Sequence, residues 1–245
     1  MAPSQRSAVI IGASYGLGAE LARELASRGY RLGLAARSAD KLETLAGELG
    51  VHCTTATLDV TDPAEAVPRL EHLFDEMDGA EEIYLNAGVF NFNKHFELEP
   101  ELATLEVNVV GFTAMVVTAY RHCKRRGKGT IVGISSVAGL RGGARNPAYN
   151  ASKAYVSNYL EGLRARATKD KLDLRVIDVR PGFIATPMTS GFKGMFWVTP
   201  SPVAARQIVK AVAAGKQVVH VTRRWWLISW LMRLAPLSLY LRFGL

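Results

Sequence analysis

Residues 7–18 read SAVIIGASYGLG, and the fold turns on this stretch. The apolar run 7–13 predicts a buried strand, and the glycines Gly12, Gly16 and Gly18 then lead into a helix predicted over 16–29. Backbone N–H groups at a helix N-terminus carry partial positive charge and can hold a pyrophosphate. Glycines let the phosphate come close and let the helix pack on the strand. The spacing is G-x-x-x-G-x-G, not the commonest G-x-G-x-x-G. Glycines in a tight turn can also be purely structural, but their place between a first strand and a helix start favours a dinucleotide.

The same alternation continues outward. Strand-like runs recur at 31–37, 52–60, 82–88, 129–136, 174–180 and 217–222, with helical patterns over 38–50, 62–78, 99–126, 149–169 and 201–214. Ser38 is a candidate N-cap and Gly50 a terminator. Strand, helix, strand with nearly continuous apolar strands predicts an α/β fold, a doubly wound parallel sheet with helices on both faces. No linker divides it, so a single domain over 1–222 is expected, followed by an apolar tail over 223–245.

The chain has 245 residues, 49% hydrophobic and 21% charged, enough to bury about 70% of its unfolded surface. Cys53 and Cys123 are too few for a disulfide framework and have no partners at metal spacing, so a reducing cytoplasm and no metal site are expected. The N-terminus is apolar for only five residues before a glycine, unlike a signal peptide or anchor. Part of the net charge of +8 lies in RHCKRRGK at 121–128, which reads as a solvated helix end and not as a nucleic-acid module.

Where the second strand ends, an NAD-preferring site carries an acid that accepts from the adenosine ribose. Here Ala36 is followed by Arg37 and Ser38. The arginine fork suits a 2′-phosphate and no carboxylate repels it, which favours NADP(H) over NAD(H). The plainer reading is an arginine solvating a loop.

NPAYNASKAY at 146–155 puts Tyr149 and Lys153 four apart, on one face of a helix. The spacing alone is weak, because YRHCK at Tyr120 and Lys124 repeats it and roughly a third of one match is expected by chance.

Taken in order, GASYGLG, LDV with Asp59, NAG at 86–88, VNVVG with Asn108, IVGISSVAG, YNASK and RPGFIATPM resemble the short-chain dehydrogenase/reductase family, with its Rossmann-type sheet, from about Ala8 to Val221. The resemblance implies a catalytic set of Asn108, Ser136, Tyr149 and Lys153. Ser136 is preferred to Ser135 because it lies 13 residues before Tyr149, as the family's serine does. Tyr120 and Lys124 have no such serine upstream. Cofactor contacts are implied at Gly12, Ser14, Tyr15, Gly16, Leu17 and Gly18 for the phosphates, and at Arg37, Ser38, Asp59 and Val60 for the adenosine. They are implied again at Asn86, Ala87, Gly88, Tyr149, Lys153, Pro181, Gly182, Ile184 and Thr186 toward the nicotinamide.

A phenol titrates near 10, and an adjacent ammonium favours phenolate, so Lys153 is expected to move Tyr149 toward neutrality and make it an acid/base. Ser136 would polarise a carbonyl. By resemblance, Lys153 also holds the nicotinamide ribose and Asn108 a water relaying protons to Lys153.

From Thr189 to Pro200 the chain carries Phe192, Met195, Phe196 and Trp197, which suits an apolar wall over a substrate cleft better than a loop packed on the core. Past Val221 the resemblance fades. Trp225, Trp226, Trp230 and their aliphatic neighbours, begun by Arg223 and Arg224, are broken by Arg233 and Pro236 before a membrane span accumulates. The tail either packs on the fold or a second copy, or lies in a membrane interface.

The sequence therefore predicts an NADPH-dependent oxidoreductase interconverting a ketone or aldehyde with an alcohol, on a small hydrophobic or lipid-like substrate. It would be cytoplasmic, peripheral to a membrane if the tail binds one, and homo-oligomeric as the family commonly is, with no nucleic-acid partner. A membrane-associated cofactor-binding scaffold and an epimerase are the alternatives.

Overall fold

Strand β1 (Ser7–Ile11) passes through the glycine turn into α1 (Gly16–Ala26), and the alternation continues with β2 (Arg31–Ala36), α2 (Ala39–Leu49), β3 (Cys53–Thr57), α3 (Pro63–Glu76) and β4 (Glu82–Leu85). Then come α4 (Leu98–Leu105), a π-helical segment (Glu106–Gly111), α5 (Phe112–Arg126), β5 (Lys128–Ile134), a 3-10 turn (Val137–Leu140), α6 (Pro147–Lys169) and β6 (Asp173–Pro181). The chain closes with β7 (Ile184–Ala185), β8 (Thr199–Pro200), α7 (Ser201–Ala213), β9 (Val218–Val221), α8 (Arg224–Leu234) and α9 (Leu237–Arg242). This computed structural model describes residues 5–192, 194–222 and 224–242.

Seven of the strands form one parallel sheet in the order β3-β2-β1-β4-β5-β6-β9. Along β1 the side chains alternate between two cores. Ala8 and Ile10 join a cluster with Leu21, Leu25, Ile208 and Val212, and Val9 and Ile11 join one with Leu70, Phe74, Met115 and Leu160. Both faces are thus covered, which is why the strands read as unbroken apolar runs. The order reverses between β1 and β4, so a crevice opens beyond their carboxyl ends.

Local chemistry sets the helix ends. Asp62 accepts from the Glu65 N–H with Pro63 in the first turn of α3, and Asn146 accepts from the Tyr149 N–H at 2.7 Å ahead of Pro147 in α6. Gly50 ends α2 in the left-handed region, at φ 63°, where glycine carries no Cβ penalty. Ser38 occupies the N-cap position of α2, but its side chain makes no cap bond.

The helix expected over 99–126 is divided by the π segment. Gly111 in that segment crosses the loop after β3, where a Cβ would lie 2.7 Å from the Val60 carbonyl oxygen. The whole stretch 98–126 is long and apolar enough to cross a membrane, yet α5 packs on α3 and α4 on α6 within the fold. The β7–β8 pair, not expected from the sequence, brackets the loop between them through Ile184 opposite Thr199.

The tail is helical. Helix α8 lies on β9 and on the 3-10 turn. Arg141 donates to the carbonyl oxygens of Met232 (2.7 Å) and Ala235, and the Tyr240 hydroxyl donates to that of Gly142 at 2.6 Å. Arg223 and residues 243–245 of the expected tail lie outside the described residues.

Candidate active site

The glycine turn is shaped by close approach. A Cβ on Gly12 would lie 2.6 Å from the Ala87 nitrogen, and one on Gly18 would lie 2.7 Å from Asn86 Nδ2 while colliding with the Gly12 carbonyl. Asn86 Nδ2 donates to that carbonyl at 2.8 Å, tying the turn after β1 to the turn after β4. Tyr15, at the N-cap of α1, makes no side-chain cap bond. The first amides of α1, with their partial positive charge, are thus left without a side-chain cap. Gly18→Ala is expected to cost about 2 kcal/mol by overpacking, read as a lower midpoint in urea, and to weaken dinucleotide binding in the same sample.

The carboxyl ends of β1, β4 and β5 open onto a cleft of about 1230 Å³, counted to its mouth. Gly12, Ser14, Tyr15, Gly16 and Leu17 line one end. Arg37, Ser38, Asp59 and Val60 flank that end, and Asn86, Ala87 and Gly88 form the middle. At the other end stand Ser136, Tyr149, Lys153, Pro181, Gly182 and Ile184, while Thr186 lies beside Gly16, 3.6 Å from where a Cβ on that glycine would be. Two expected residues stand behind the wall. Gly18 is buried under the turn, and Asn108, in the π segment, is buried behind Gly88. Asn108 Oδ1 accepts from the Val89 N–H at 2.9 Å, and its Nδ2 donates to the Val89 carbonyl (2.9 Å) and to Ser152 Oγ (3.1 Å). This clamps the turn after β4 onto α6.

At the adenosine end the Arg37 guanidinium is exposed, 3.9 Å from an Asp59 carboxylate oxygen. Asp59 is also held by the Thr61 N–H and hydroxyl at 3.0 and 2.9 Å. Lys41 Nζ lies 5.8 Å from the centroid of the Tyr15 ring. That second cation escaped the sequence reading because it lies a helical turn beyond the strand end.

At the catalytic end, Tyr149 stands on the first turns of α6, with Lys153 one turn on. Lys153 is 7% exposed. Its Nζ donates to the Ile134 carbonyl at 3.0 Å and lies 5.7 Å from the Tyr149 ring centroid. Burial pulls Lys153 down to about 8, opposed by the charge of Asp178. Burial pushes Tyr149 above its ordinary value, the Ser136 hydroxyl pulling the other way. The expected lowering of Tyr149 by Lys153 is thus corrected: desolvation wins, and the ammonium is directed at the main chain. Ser136 Oγ accepts from the Ala138 N–H (3.1 Å) and donates to the Pro181 carbonyl (3.4 Å). Ser135 is occupied otherwise, donating to Asp178 Oδ1 and to the Val179 carbonyl at 3.0 Å. The rival pair is separate, with Tyr120 and Lys124 both bonded to Asp170, at 2.8 and 2.9 Å, on another surface.

The model of the family described as short chain dehydrogenase matches residues 6–195. The chain belongs to that family. An uncharacterized oxidoreductase of Myxococcus xanthus is 36% identical over 194 residues, covering 76% of this chain and 75% of that protein. One of Mycobacterium tuberculosis is 33% identical over 243 residues, covering 94% and 93%. Among solved structures, the 3-ketoacyl-(acyl-carrier-protein) reductase of Brucella melitensis, complexed with NADH, superposes with a TM-score of 0.79 at 22% identity, covering 88% of this chain and 96% of that one. The shared fold is a Rossmann-type sheet, and the chain is a short-chain dehydrogenase/reductase of the NAD(P)-dependent oxidoreductases.

Around the tyrosine of this short-chain dehydrogenase the structure adds residues the sequence reading missed. Phe90 meets Tyr149 edge-on at 4.9 Å between centroids and Phe192 at 4.8 Å, and Met188 and Thr189 line the cleft. Phe192 had been placed at the cleft by composition. Phe90 comes two residues after Gly88 of the NAG turn, and that nearness was the only signal for it.

Proposed function

We propose that the chain is an NADPH-dependent oxidoreductase interconverting a ketone or aldehyde with an alcohol on a hydrophobic substrate. The observation that carries this is the single cleft running from the glycine turn to Tyr149, Ser136 and Lys153. The turn fits a dinucleotide: a Cβ on Gly12 or Gly18 would meet backbone, Gly16 sits in the left-handed region at φ 58°, and the first amides of α1, which take no side-chain cap, suit a pyrophosphate. Arg37 and Lys41, with Ala36 in place of an acid, favour a 2′-phosphate there.

The nicotinamide, when bound, supplies or accepts the hydride. Tyr149, held as the neutral phenol, donates a proton to the substrate oxygen as charge develops on it. Ser136 donates a hydrogen bond to the same oxygen. Lys153 would hold ribose hydroxyls, its Nζ kept 5.7 Å from the Tyr149 ring centroid by its bond to the Ile134 carbonyl. Asn108 is a positioning residue that fixes Val89 and, through Ser152, the first turns of α6.

Phe90 and Phe192 give the reacting end an apolar wall, and Phe92, exposed and 6.4 Å from Phe192 between ring centroids, continues it. On a series of straight-chain ketones, kcat/KM in NADPH oxidation is expected to rise about four-fold per methylene until the wall is covered. A flat series would remove the hydrophobic substrate from this reading. No oxidation with any carbonyl would remove the activity.

A further inference from the structure

Helix α8 is apolar on both sides, and only one side is used. Inward, Trp225 packs on Gly182 and within 5.1–5.7 Å of the Phe196 and Phe183 rings, so the helix is anchored. Outward, Trp226, Leu227, Trp230, Leu231 and Leu234 stand 60, 51, 53, 50 and 61% exposed. A helix apolar all round belongs in an interior, so something covers this stripe. Phe196 and Trp197, 44 and 40% exposed, pack on Trp225 at the anchored side.

Charge identifies the cover. At about 100° per residue, Arg224 and Arg233 fall on opposite edges of the stripe. The chain carries no Asp or Glu after Asp178. A two-fold pairing of this face would set arginines against arginines, and the segment that forms the face supplies no acid to offset them. A surface of anionic headgroups over hydrocarbon matches both the stripe and its borders, with tryptophans at headgroup depth. We propose that the outward face of α8 docks the protein in the interface of an anionic lipid bilayer.

The test is flotation of the full chain with vesicles of phosphatidylcholine plus phosphatidylglycerol, against phosphatidylcholine alone, at low salt. The protein is expected to float with the anionic vesicles, with a blue shift of tryptophan emission. Arg224→Gln with Arg233→Gln is expected to lower the partition coefficient about 30-fold, some five-fold for each arginine. Trp226→Glu with Trp230→Glu is expected to abolish flotation with the circular dichroism of the fold unchanged, since both side chains face solvent. Should that variant not fold, quenching of the native tryptophans by brominated phosphatidylglycerol decides. Protein that stays unbound and unquenched overturns the proposal, as does equal binding to both vesicles. A vesicle-indifferent dimer that the tryptophan variant splits into monomers overturns it too, and assigns the face to a second copy.

Discussion

Tyr149→Phe is expected to lower kcat for carbonyl reduction by about 10²–10⁴-fold, the range a positioned general acid contributes, while the affinity for NADPH stays within about two-fold. The substitution removes one oxygen and leaves the ring, its edge contact with Phe90 and the turn of α6 capped by Asn146 in place. Burial keeps the phenol protonated well past neutral pH, so the wild-type site always has the proton to give. The readouts are steady-state turnover and NADPH fluorescence on the same preparation. Cofactor binding lost together with turnover would assign Tyr149 to binding and not to proton transfer.

Arg37→Asp is expected to shift the ratio of kcat/KM for NADPH over NADH by about 10²-fold or more. A charge-assisted hydrogen bond lost to the 2′-phosphate is worth about 1.5–3 kcal/mol, and the carboxylate introduced repels that phosphate while accepting from a ribose hydroxyl. Arg37 is exposed and only loosely paired, 3.9 Å from Asp59, so the change leaves the core untouched. An unaltered ratio would mean that the arginine only solvates the end of β2.

The order of strands and helices was legible because parallel strands covered on both faces must be apolar throughout, and Gly12 and Gly18 were legible because backbone fills the space where their side chains would be. Tyr149 and Lys153 are local to one helix, and the ordered motifs around them, with Ser136 thirteen residues upstream, separated them from Tyr120 and Lys124 where spacing alone did not. The rest depends on residues that meet only in three dimensions. Phe90 reaches Tyr149 across the cleft. Asp178, fully buried, accepts from Ser135 and from Arg180 at 2.7 Å and raises Lys153 from beneath. No periodicity reports that carboxylate. The direction of the Tyr149 shift was misread for the same reason: spacing brings an ammonium near a phenol, but not the Ile134 carbonyl that engages it. The tail was read as one apolar run, and only the packing of Trp225 on Gly182 separates its anchored side from its exposed one.

The account rests on a neutral Tyr149 acting beside a charged Lys153, and the pH dependence of kcat/KM for reduction tests that most directly. Lys153 titrates at about 8 and Tyr149 above its ordinary value, so the ammonium is present below that pH and lost above it, while the phenol keeps its proton throughout. The predicted profile is level from about pH 6 to 7 and falls about ten-fold per unit above about pH 8. A rate that climbs with pH through that region, or stays level to about pH 10, would contradict it.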